Sequence, residues 1–399
     1  MIRLARPALV SAALFAQQLT PQCGSSSTSP TTTPSAPINT QSVVVNSGPN
    51  NDYVNGLFTS VTICVPGSST CQTVSGILVD TGSSGLRVLS SAVNLTLPQQ
   101  TSSGAPVVEC AQFQDGFTWG PVQTADVKLA GETASNVPIQ VIGSPSFSTI
   151  PQACSSTGTA ENTLDTLSAN GILGVSVFKD DCGPACASSG SSNPGFYYVC
   201  PSSGCTVLAQ PSARQLQNPV AMFTSDNNGI VIQLPSVASG GTGSLTGSLI
   251  FGIGTQSDNA LGSAKVFTTD AAGNFTTVFN GQSLGSSFID SGSNGIFFLD
   301  SAATGLPVCP DTADFYCPSS PKSFSATTRG GNGVTATVNF SIDNADTLLR
   351  AVRFSVFGEL GGPNAGNVDW GLPFFFGRTV FTAIEGQTTP GGAGPYWAY

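Results

Sequence analysis

A nine-residue pattern, alike in character at every position, occurs twice in this 399-residue chain. Leu78-Val79-Asp80-Thr81-Gly82-Ser83-Ser84-Gly85-Leu86 returns as Phe288-Ile289-Asp290-Ser291-Gly292-Ser293-Asn294-Gly295-Ile296, the first residue moving from position 78 to position 288. A single Asp-Thr-Gly-Ser is weak, because Asp and Gly are ordinary turn residues. Two copies, each entered and left by an apolar, β-like run, impose a two-lobed chain in which each lobe delivers one Asp at the end of a buried strand.

That arrangement suits a pair of carboxylates. Burial disfavours the charged form and raises the pKa of each, and two carboxylates in contact share one proton because both cannot ionise cheaply. Gly82 and Gly292, two residues past each Asp, permit the sharp turns that bring the loops together. The hydroxyls of Ser83 and Ser293 can donate to the carboxylates, while those of Thr81 and Ser291 can lock the loops. One carboxylate can then act as base on a water held between them as the other protonates a carbonyl under attack.

Composition narrows the alternatives. There are 46 Gly and 27 Pro, only 9% of residues are charged, and no helix-forming run of Ala, Leu, Glu and Lys is visible, so short strands and tight turns are expected. The chain contains no histidine, which removes Ser-His-Asp and Cys-His machinery and any histidine-ligated zinc site. No metal and no cofactor are expected. Arg3 and Arg6 fall in the apparent leader, leaving ten basic residues against 22 acidic ones, a net charge of −12. Such a surface repels phosphate backbones, so nucleic acid is not an expected partner.

Eleven cysteines stand at 23, 64, 71, 110, 154, 182, 186, 200, 205, 309 and 317. The first lies in the leader region, and the other ten imply five disulfides formed in an oxidising compartment. Cys64–Cys71 and Cys309–Cys317 are the pairs that short closure favours; the pairing of Cys182, Cys186, Cys200 and Cys205 stays open. Cys182-Gly-Pro-Ala-Cys186 has one residue too many for a thioredoxin-type redox loop and lacks its βαβ setting.

Residues 1–22 have the form of an export signal, with two arginines ahead of the apolar stretch from Pro7 to Ala16, too short for a membrane span. Cys23 opens a Ser/Thr/Pro-rich tether over 23–40 in the layout of a lipoprotein, although Thr20-Pro21-Gln22 matches a lipobox poorly; simple cleavage after Ala16 is the alternative. A lipid on Cys23 is the one expected membrane contact, and the protein is expected to be envelope-anchored or secreted. Gly252-Ile253-Gly254 reads as a bulge or turn, and Gly330-Gly331-Asn332-Gly333 as a hairpin turn.

The two Asp blocks resemble those of the pepsin-like aspartic peptidases, and the likeness runs from about Asp52 to Glu385. Tyr53 to Ile63, followed by Gly76-Ile77-Leu78-Val79, is similar to the first strands of that family. Asn170-Gly171-Ile172-Leu173-Gly174-Val175 is similar to its Asp-Gly-Ile-Leu-Gly-Leu element beneath the first Asp loop. Trp370-Gly371-Leu372-Pro373-Phe374-Phe375-Phe376-Gly377-Arg378 resembles its closing Leu-Gly-Asp…Arg strand. The ending also looks like that of a bacterial branch of secreted or lipoprotein members. The resemblance implies an all-β, bilobal double barrel with few short helices, a first lobe over about 41–224 and a second over 225–399, and an inter-lobe cleft for an extended peptide. It implies a monomeric endopeptidase with Asp80 and Asp290 as catalytic residues and a peptide or protein as substrate.

Three departures stand out. Arg87 takes the place of a tryptophan seven residues beyond the first Asp. The expected flap, Val107 to Leu129, has no tyrosine, and Phe113 falls at that position with Phe117 and Trp119 nearby on the hairpin. Asp369 sits where an apolar residue is usual beneath the second Asp loop. Arg87 is expected to turn away from Asp80, toward Asp115 or backbone carbonyls of the flap; an Arg87–Asp80 pair would instead fit a peptide- or protein-binding envelope protein that has lost turnover.

Overall fold

The computed structural model describes residues 39–399. The expected leader, the lipidation candidate Cys23 and all but the last two residues of the expected tether lie outside them.

Among the described residues the regular structure is almost all β-strand, with helices of no more than five residues. In the N-terminal half, six strands close on themselves: Gly56–Cys64, Cys71–Asp80, Gly171–Val175, Ser84–Leu89, Glu132–Ile142 and Gly116–Leu129, each paired with the next and the last with the first. Their sequences explain the closure. Gly56–Cys64 alternates Leu57, Val61 and Ile63 into the core, whereas Ser84–Leu89 and Gly171–Val175 are buried at every position because both of their faces are covered.

The C-terminal half curls a seven-stranded sheet into a second, nearly closed barrel. Its strand Ile296–Leu299 carries Phe298 into the curl, where the ring packs edge-on to Phe340, with centroids 5.1 Å apart. The Gly330–Gly333 segment turns the hairpin between Lys322–Arg329 and Thr335–Ile342, as its composition indicates. A shared sheet runs behind both barrels. There the strand Thr40–Asn46 pairs with Leu245–Phe251, which leads through Gly229–Leu234 to Arg378–Ala383.

Five disulfides use all ten cysteines from Cys64 to Cys317. They are Cys64–Cys71, Cys110–Cys154, Cys182–Cys186, Cys200–Cys205 and Cys309–Cys317. Four of the five close loops of eight residues or fewer, so each fixes a hairpin or loop; Cys110–Cys154, 44 residues apart, ties the flap to the loop beyond it. Among the described residues no helix is long and apolar enough to cross a membrane.

Candidate active site

Each duplicated block places its Asp at or just past the end of a strand that runs parallel to a neighbour. Asp80 closes Cys71–Asp80, which runs parallel to Gly171–Val175 with Gly174 opposite Asp80. Asp290 follows Gln282–Ile289, parallel to Asn364–Trp370, and its amide donates to the Trp370 carbonyl at 3.1 Å.

The loops interlock reciprocally. The Thr81 amide donates to Ser291 Oγ at 3.1 Å, and the Ser291 amide donates to Thr81 Oγ1 at 2.9 Å. Each hydroxyl then donates onward across the lobe boundary, Thr81 to the Ile289 carbonyl and Ser291 to the Val79 carbonyl. All four groups are buried, so every donor and acceptor is satisfied where water cannot help.

The lock brings the carboxyls of Asp80 and Asp290 within hydrogen-bonding reach of each other. Inside each loop the amide two residues on donates back to the Asp, Gly82 to Asp80 at 2.8 Å and Gly292 to Asp290 at 2.7 Å. No side chain fits at either glycine. A Cβ on Gly82 would stand 2.8 Å from the Asp290 carboxyl, and one on Gly292 would stand 2.6 Å from Asp80 Oδ1. Ser83 Oγ donates to Asp80 Oδ2 at 2.5 Å, and Ser293 Oγ lies 2.9 Å from Asp290 Oδ2. Burial first, and then the neighbouring Asp290, push the Asp80 carboxyl up to about 8, so a shared proton is held far above the ordinary carboxylate range.

The pair lies in a cleft of about 980 Å³ whose lining includes Ser83, Phe113, Ser293 and Asp369. The flap is the hairpin of Ala105–Gln112 and Gly116–Leu129, with Phe113 at its turn and lining the cleft. Phe117 and Trp119 are placed elsewhere. Both are buried beneath the hairpin against Tyr198 and the Cys110–Cys154 disulfide, outside the cleft lining.

Arg87 is fully buried, and its bonds run away from Asp80. The guanidinium pairs with Glu109 at 2.6 Å and with Asp181 at 3.0 Å, donates to the Ser84 carbonyl at 2.8 Å, and lies 5.8 Å from the Phe113 ring centroid. The flap residue it holds is thus Glu109, on the first flap strand, in place of the expected Asp115. Glu109 sits in the buried stretch of Ala105–Gln112, whereas Asp115 lies in the turn beyond it.

Sequence reasoning missed Glu109, Asp181 and Tyr197. Tyr197 donates to the Asp181 carboxyl at 2.8 Å and accepts from the Leu216 amide at 2.7 Å. Burial and the neighbouring Glu109 push the Asp181 carboxyl above the usual range, and the cluster buries one guanidinium against two carboxyl groups. A lone Glu within an otherwise apolar flap strand was the available signal.

A family model described as "Protein of unknown function (DUF3443)" matches residues 35–399. No curated protein matches the sequence. Among solved structures, the aspartic proteinase from Irpex lacteus superposes with a TM-score of 0.53 at 15% identity, covering 90% of this chain and 96% of that one. At that identity the likeness shows the fold, a pepsin-like double barrel.

Proposed function

The chain belongs to the DUF3443 family, and we propose that it is an aspartic-type endopeptidase using Asp80 and Asp290. The observation that carries this reading is the mutual reach of the buried Asp80 carboxyl and the half-buried Asp290 carboxyl, on loops of duplicated sequence, within an open cleft. An extended peptide lies in the cleft beneath Phe113. A water between the carboxyls gives up a proton to the ionised one and attacks the scissile carbonyl, whose oxygen is protonated by the other; the pair titrates as a unit.

Export to an oxidising compartment, with or without an anchor at Cys23, belongs to the same proposal, and the five disulfides support export. The alternative of a binding protein without turnover rests on Arg87 and on the tyrosine-less flap. The ion pairs of Arg87 with Glu109 and Asp181, with none to Asp80, favour the enzyme on the first of these grounds.

Digestion of an unfolded protein at several acidic pH values tests the reading, with wild type beside Asp80→Asn and Asp290→Asn. Each substitution is expected to lower the rate by about 10³-fold or more, since each removes half of the acid–base pair. Wild-type turnover absent at every pH, or unchanged in either variant, would sink it.

A further inference from the structure

Asp369 is a third carboxyl at this site, and hydrogen counting assigns its protonation state. It stands on Asn364–Trp370, opposite Phe288 on one side and Phe297 on the other, and is only 7% exposed. Its Oδ2 lies 2.6 Å from Ser293 Oγ, the same hydroxyl that lies 2.9 Å from Asp290 Oδ2. A serine hydroxyl has one hydrogen to give. It can serve one of these two carboxyls, so the other contact needs a proton from a carboxyl.

If Ser293 donates to Asp290, Asp369 is the donor to Ser293. If Ser293 donates to Asp369, then Asp290 Oδ2 must be protonated, and the proton shared with Asp80 must be a further one. In both arrangements three carboxyls hold two protons. Asp290 already accepts from the Gly292 amide, whereas Asp369 Oδ1 has no partner among the described residues, so the anion is better placed on Asp290. Burial, and after it the charge of Asp290, hold the Asp369 carboxyl well above the usual range, in agreement with that assignment.

We propose that Asp369 is a positioning acid, whose neutral carboxyl donates to Ser293 Oγ and so directs the serine's own hydrogen onto Asp290. The active form of the site then carries two protons, one shared by Asp80 and Asp290 and one on Asp369. Among the described residues, Asp290 and Asp80 are the titratable groups whose charge acts on Asp369, and Asp314 also lines the cleft; Arg87, Asp115, Glu161 and Asp181 stand elsewhere in its lining. The flanking strands Gln282–Ile289 and Ile296–Leu299 contribute no charged side chain. Only the kinetic arm of the test below rests on the peptidase reading.

Asp369→Asn keeps a donor beside Ser293 but cannot ionise; Asp369→Leu loses the donor. With an uncharged, internally quenched peptide, log(kcat/KM) of the wild type is expected to fall on the alkaline side with a slope approaching −2, because two protons are lost. Asp369→Asn should fall with slope −1, and Asp369→Leu should lose about tenfold in rate at the optimum. Thermal unfolding supplies an arm without turnover. A carboxyl whose folded pKa is raised contributes stability that is present below its unfolded value, near 4, and is lost as pH rises toward the folded value. The wild type should therefore match or exceed Asp369→Asn at pH 3 and fall progressively behind it as pH rises above 4. A difference in Tm that stays constant from pH 3 to pH 8 overturns the proposal. If that difference opens while no variant cleaves peptide, the peptidase reading fails and the proton assignment stands. Should Asp369→Asn not fold, the 13C carboxyl resonance of Asp369 in the wild type decides, and an ionised shift at pH 6 overturns the proposal.

Discussion

The two halves of the site share one backbone register and exchange their charges. In the first, Gly171–Val175 sets Ile172 opposite Leu78 and Arg87. In the second, Asn364–Trp370 sets Asp369 opposite Phe288 and Phe297. Ile172 thus corresponds to Asp369, and Arg87 to Phe297. The buried polar residue sits on the strand after the loop in one half and on the strand beneath it in the other. What surrounds each decides its state. Arg87 meets Glu109, Asp181 and a carbonyl, so its charge is kept by compensation. Asp369 meets Ser293 alone among the described residues, and neutrality is the cheaper solution.

The largest effect expected from breaking this contrast is at Arg87. Arg87→Met leaves two carboxyls buried without their cation and should cost about 3–5 kcal/mol, measured by urea unfolding at pH 7. Phe297→Met, at the corresponding position, exchanges one apolar side chain for another and should cost less than about 1.5 kcal/mol. Adding Glu109→Gln and Asp181→Asn to Arg87→Met should return much of the loss. Equal costs at 87 and 297 would mean that the charge cluster is not what holds the flap to the first lobe.

That cluster also marks where the sequence was legible. The Asp loops, their serines and the interlocking hydroxyls could be read because they are local in sequence and occur twice. The double barrel was implied by the family resemblance that this repeat carries, while the glycine-rich, helix-poor composition by itself indicated short strands and tight turns. Partners of Arg87 could not be read, because Glu109 and Asp181 lie 22 and 94 residues away and reach it only through strand pairing and burial. Phe117 and Trp119 show the same limit. Alternation along a hairpin says that its two faces differ, but not that Tyr198 and a disulfide cover one of them.

The next effect tests symmetry. Thr81→Val removes an acceptor for the Ser291 amide and a donor to Ile289, and Ser291→Ala removes the mirror-image pair. Each should cost about 1–3 kcal/mol, because a buried amide is left unpaired. The two costs should be similar, and the double variant should lose less than their sum, since the contacts belong to one closed network. Thermal unfolding of the two single variants and the double variant checks this. Full additivity would show two independent anchors instead of one lock.

The smallest effect separates Ser83 from Ser293, which occupy matching places but carry different loads. Ser83 touches Asp80, whereas Ser293 joins Asp290 to Asp369. Below about pH 8 the Asp80 carboxyl is largely protonated in the folded protein, so Ser83→Ala gives up one neutral hydrogen bond, about 1 kcal/mol. Above pH 8 the loss should widen. Ser83 favours the ionised carboxylate, so its removal raises the folded pKa of Asp80 further, and stability is then lost over a longer stretch of rising pH. Ser293→Ala gives up two contacts and leaves the buried Asp369 carboxyl without its partner, so it should cost about twice as much already at pH 4. Tm values for both variants at pH 4, 7 and 9 measure the difference. Equal losses at pH 4 would remove Asp369 from the hydrogen-bonded chain and make the two halves alike.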